Sequence, residues 1–107
     1  MRNPLEQLWR DMMDIYHYAE DGSLPDTPTY TGVKCHYSMN TLVAVGTDGA
    51  PTLINKYLLF CSPDTDIKSG DYVEVTQRNG RKVNLTVGEG IPYTFQQELA
   101  VERIDKA

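Results

Sequence analysis

Cysteine, histidine and basic charge are all scarce in this chain, and each shortage removes a class of function. Cys35 and Cys61 are the only cysteines, with no C-x-x-C or other metal-ligand spacing between them or around them, which leaves no zinc-type site to propose. Both lie in apolar, strand-like surroundings, where a free cysteine behaves as a small hydrophobe; a disulfide or redox role is the alternative. Ten bases against 15 acids give a net charge of −5 over 107 residues. The bases are scattered, and Arg78, Arg81 and Lys82 form the densest group. Binding to duplex DNA draws its affinity from clustered cations that displace counterions, so it is disfavoured. No apolar run approaches the roughly 18 residues that span a bilayer, and no basic-then-apolar signal opens the chain. The expectation is a protein without a membrane role, kept in a cytosol-like compartment.

Catalytic signatures are missing too. Nucleophilic catalysis needs a nucleophile beside a base that a third group orients, and no Gly-x-Ser-x-Gly or Cys/His signature occurs. Cys35 and His36 are neighbours, so on a strand they point to opposite faces. His17 could meet Cys35 across two inward faces, but a satisfied core or rim histidine explains it more simply. Asp64 and Asp66 lack the further spaced oxygens of a calcium loop and suit a turn. Gly88-Glu89-Gly90 has no following helix to cap an anion. The expectation is therefore no enzyme, no metal and no cofactor.

What the chain does have is a hairpin, within Asp66–Val87 (DIKSGDYVEVTQRNGRKVNLTV). Asn79-Gly80 suggests a two-residue type I′ turn, but that register pairs Thr76 with Val83 and mixes apolar with charged side chains on each face. A three-residue loop, Arg78-Asn79-Gly80, places Val75 opposite Val83 and Val73 opposite Leu85. One face is then wholly apolar, and burial selects that register. Gly80 takes the left-handed position of a type I turn with a G1 bulge.

Around this hairpin the pattern alternates with a period of two. Asn3-Pro4-Leu5-Glu6 has the N-cap, N1 proline and N3 glutamate of a helix start, with Leu5, Leu8 and Trp9 as its stripe. This short helical arm, 1–11, either covers one end of the fold with Trp9 or docks on a neighbouring subunit. Met12–Ala19 reads as the first strand, a continued helix being the alternative. Tyr30–Met39 is the second strand. The segment 40–53 carries a small apolar run and then Gly46, Gly49 and Pro51, and is expected to be a long loop with at most a short strand. Ile54–Ser62, apolar on both parities, reads as a central strand. Gly88–Pro92 is a turn, and Tyr93–Ile104 the last strand. The fold class is all-β: a small antiparallel barrel or sandwich of about six strands, a meander in one domain over 1–107, with a short N-terminal helix. The inward list is Met13, Ile15, Val33, Cys35, Tyr37, Leu58, Phe60, Val73, Val75, Val83, Leu85, Phe95, Leu99 and Val101. Tyr16, Tyr18 and Tyr72 are candidates for stacking bases in a single-strand-binding barrel, without bases beside them to hold the backbone.

Several stretches in the same order resemble the small head-completion proteins of long-tailed bacteriophages and prophages, also called head–tail connector or minor capsid proteins. They are DMMDIYHYAE, Gly32–Ser38, KYLLFCSPDTDIKSGDYVEVTQRNGRKVNLTV and GEGIPYTFQQELAVERI. The resemblance covers nearly everything except 40–53. It implies a β-barrel subunit of a homo-oligomeric ring in the virion, assembled in the host cytoplasm between portal-side adaptor and tail-completion proteins. DNA would pass nearby without being gripped. It further implies a channel or gating role for the loop, with Leu42, Val43, Val45, Gly46 and Gly49 as candidates. Candidate subunit contacts are Leu5, Leu8, Trp9, Arg78, Arg81 and Lys82, the last three being either a solvated tip or a contact with an acidic neighbour. A generic small-barrel adaptor module is the competing class.

Overall fold

The computed structural model describes residues 5–45 and 49–104. Six strands are present: β1 (Asp11–Tyr16), β2 (Tyr30–Val45), β3 (Pro51–Cys61), β4 (Tyr72–Thr76), β5 (Lys82–Pro92) and β6 (Gln97–Arg103). They close into an antiparallel ring in the order β1-β2-β3-β6-β5-β4. That order corrects the expected meander, because β3 pairs with β6 and β4 with β1, and the chain must cross one end of the barrel between β3 and β4. The expected helix is reduced to a single 3-10 turn, Glu6–Leu8; Asn3 and Pro4 lie outside the described residues. A sequence of so few turns has little intrinsic helicity, and strand pairing of β1 begins only three residues later.

Period-two burial makes the barrel. Met13, Ile15, Cys35, Leu59, Cys61, Val73, Val75, Leu85, Val87, Leu99 and Val101 share one core, joined by Val83 and Ile67, and their neighbours along each strand face outward. On β3 the expected parity is inverted: Leu59 and Cys61 are fully buried, whereas Leu58 and Phe60 are only half-covered. Phe95 is not in the core either. It is 47% exposed, in a turn closed by Tyr93 N–H donating to the Gln96 carbonyl at 2.7 Å. The last strand starts at Gln97 because β5 runs on to Pro92 through the segment expected to be a turn. A bulge between Val87 and Gly90 allows this. It brings Gly88 so close to β6 that a Cβ there would sit 3.0 Å from the Ala100 carbonyl oxygen, which no larger residue could accommodate without moving the backbone.

The β4–β5 hairpin has the bulged register. Val75 lies opposite Val83 and Val73 opposite Leu85. Gly80 N–H donates to the Gln77 carbonyl at 2.8 Å, and Gln77 N–H to the Arg81 carbonyl at 2.7 Å. Gly80 has φ of +87° with open space where a Cβ would stand, so its requirement is one of backbone conformation rather than room. Gly80→Val should destabilise the barrel by about 1 kcal/mol or more. A denaturant titration with an unchanged midpoint would contradict this.

Candidate functional site

The two ends of the barrel differ. At one end the crossing segment between β3 and β4 lies over the mouth and inserts Ile67 into the core. Gln97, whose polar side chain interrupts the apolar parity of β6, donates through Nε2 to the carbonyls of Ser62 (2.9 Å) and Thr65 (3.0 Å) and so pins this segment. His17 fastens it from the other side: Nε2 is 3.2 Å from Asp66 Oδ2, and Nδ1 is 2.7 Å from Asp71 Oδ2, close but off the line of a hydrogen bond. Tyr30 donates its hydroxyl to Asp66 at 2.9 Å. That bond, then the one from His17, holds the Asp66 carboxyl below the usual carboxylate range, and the bond to Asp66 pushes the Tyr30 hydroxyl up. His17 is thus a rim histidine tying loops together, not a partner for Cys35.

The thiols are equally structural. Cys35 and Cys61 stand opposite each other on β2 and β3, both free and buried. Burial pushes the Cys61 thiol up to about 11 and the Cys35 thiol higher still, so neither has the thiolate character that reactivity needs. Among the described residues no cluster of three or more His, Cys, Asp or Glu side chains is placed to hold a metal ion.

The opposite end carries the candidate surfaces. Here the expected loop 40–53 is a correction: β2 and β3 continue as a paired ribbon, Met39 opposite Tyr57 through to Val45 opposite Pro51. Thr41, Val43, Val45, Thr52 and Ile54 are β-branched and suit a strand, and Pro51 is tolerated as the first strand residue. The four-residue apolar run hid an alternation that continues that of the barrel. Met39, Val43 and Val45 have the parity of Cys35 and Tyr37, and Leu53 that of Tyr57 and Leu59. The core-facing stripe therefore runs out past the core, leaving Met39 54%, Val43 68%, Val45 74% and Leu53 71% exposed. Leu42 pairs with Ile54; Gly49 follows in an exposed left-handed conformation, and Gly46 lies outside the described residues. The ribbon lengthens the molecule to a radius of gyration of 15.2 Å, against roughly 13 Å for a compact chain of this size. Among the described residues its outer edges are open. β1 reaches only to Cys35 on β2, and β6 only to Tyr57 on β3.

Beside the root of the ribbon is a groove of about 710 Å³, lined by Leu8, Arg10, Asp11, His36, Tyr37 and the hairpin tip at Gln77–Asn79. Two of the expected contact residues, Leu8 and Arg78, meet here. Trp9 does not present itself: it is buried, and its indole N–H finds no acceptor among the described residues. Leu5 is half-buried. Lys82 turns away to Glu74 at 3.5 Å, and Arg81 is exposed beyond the groove. The organising residue, which no sequence signal singled out, is Asp11. It is 7% exposed, and its two oxygens accept from Tyr37 N–H (2.9 Å) and Arg78 N–H (3.0 Å). Of the aromatic candidates, Tyr72 is buried and donates to Asn84 at 2.8 Å, so its ring has no free face for a base.

No family model matches the chain, and none of the curated proteins matches it. Among solved structures, it is similar to the phage-like element PBSX protein xkdH from Bacillus subtilis. The TM-score is 0.59 over 87% of this chain and 93% of that one, at 17% identity. At that identity the likeness is one of fold: the closed six-stranded barrel described above is an architecture shared, almost end to end, with a protein of a phage-like element.

Proposed function

We propose that this chain is a structural subunit of the head–tail connector of a phage or prophage-like particle, forming a ring that closes the DNA-filled head and offers the tail its docking surface. The observation that carries the reading is the ribbon. A stripe with core parity, exposed from Met39 to Leu53 and bounded by two open strand edges, is a surface built to be covered. In a ring whose ribbons point the same way, the β2 edge of one copy runs antiparallel to the β3 edge of the next, so the edges can pair without reversing either. The likeness to xkdH supports a phage-type particle as the setting. The ribbon then takes the place of the gating loop, with Val43, Val45 and Leu53 sealing between neighbours.

Deleting the gene from its phage or prophage tests this. Full-length tails should accumulate beside heads that package DNA and then lose it, seen by electron microscopy and nuclease sensitivity. Normal, infectious particles would overturn the assignment.

A further inference from the structure

We infer that the groove at the ribbon root is a docking site for an acidic peptide segment of a partner protein, with Arg10 and Arg78 receiving its carboxylates and Leu8 an apolar residue beside them. Both arginines line the groove, and among the described residues neither guanidinium has a hydrogen bond or ion pair. Two unengaged guanidiniums flanking one depression match carboxylates bidentately. The one acid in the groove, Asp11, does not compete, because each of its oxygens already accepts a backbone N–H. His36 stands on the same wall with its ring half-exposed; Nδ1 is 3.9 Å from Asp11 Oδ2, and the ring lies 6.1 Å from the Phe60 ring in a stacked arrangement. Leu8, 61% exposed, supplies apolar surface that a bare anion would not use.

Charge complementarity selects the occupant. Two arginines around an apolar residue, on a chain of net charge −5, do not make the continuous cationic track that a phosphate backbone needs. They suit a short segment alternating carboxylates with an apolar side chain. The inference does not depend on ring formation, since the groove belongs to one copy.

A fluorescent peptide of repeating Glu-Leu-Glu-Gly provides the probe, followed by anisotropy at low salt. Its lysine-for-glutamate counterpart and an oligothymidylate serve as comparisons. The acidic peptide should bind, and binding should weaken as salt rises. The double variant Arg10→Gln/Arg78→Gln should lose tenfold or more, while the charge-matched Lys56→Gln/Arg81→Gln, outside the groove, should lose little. Circular dichroism checks that both variants remain folded. Absence of peptide binding, equal losses in the two double variants, or tighter binding of oligothymidylate would each overturn the inference, the last by assigning the groove to phosphate.

Discussion

Replacing Asp11 with alanine should destabilise the barrel by about 2–4 kcal/mol. Asp11 begins β1, which lies between β2 and β4, and its carboxylate accepts one backbone N–H from each side: Tyr37, within β2, and Arg78, just past the end of β4. Hydrogen bonds to a charged acceptor contribute roughly 1.5–3 kcal/mol each, and alanine leaves two amides without their partner. Water entering from the groove offsets part of the loss, which places the expected value around the lower end of that sum of about 3–6 kcal/mol. Asp11→Asn should fall between, because its amide can accept one N–H but turns a donor toward the other. Urea titration with tyrosine and tryptophan fluorescence measures both. An unchanged midpoint for the alanine variant would mean that solvent fully replaces the carboxylate.

The ribbon should behave in the opposite way, with little effect on folding and a large one on assembly. Val43, Val45 and Leu53 are each at least two-thirds exposed in the single chain, so Val43→Ser/Val45→Ser/Leu53→Ser should leave the unfolding midpoint close to that of the parent. If these side chains are covered between neighbours, each contributes about 1.5 kcal/mol or more. Three together exceed about 4 kcal/mol, or roughly a thousandfold in association. The triple variant, placed in the phage, should therefore cut infectious yield by orders of magnitude while the isolated protein folds normally. Unchanged yield would remove the ribbon from the assembly.

Local chemistry was legible wherever one residue type had a single physical use. The bulged hairpin followed from the need to bury Val73, Val75, Val83 and Leu85 together, and its register is the observed one. β3 failed for the opposite reason: Leu58, Leu59 and Phe60 satisfy burial on either parity, and only Cys61 and Tyr57, which share the inner face with Leu59, could have broken the tie. The ribbon was hidden by glycine and proline at its turn and by an unbroken apolar run, although its β-branched residues alternate as strands do. Gln97 looked like an interruption and is instead the donor that anchors the crossing segment. The groove was beyond reach of any local signal, because Asp11 and Arg78 are 67 residues apart. Closure of the ring, not a motif, brings them together.

That closure also dictates when the protein can exist. β6 fits between β3 and β5, so a nascent chain must be synthesised through Arg103 before the inner edge of β3 finds its mate. Until then β1, β2 and β3 emerge as a sheet with an apolar face and an unfilled gap, the kind of intermediate that invites wrong pairing with other chains. Pairings so distant along the chain are slow to form. Each copy therefore has to be synthesised past Arg103 before it can meet others as a closed barrel, and a stop codon ahead of Gln97 would leave an open sheet rather than a shortened barrel.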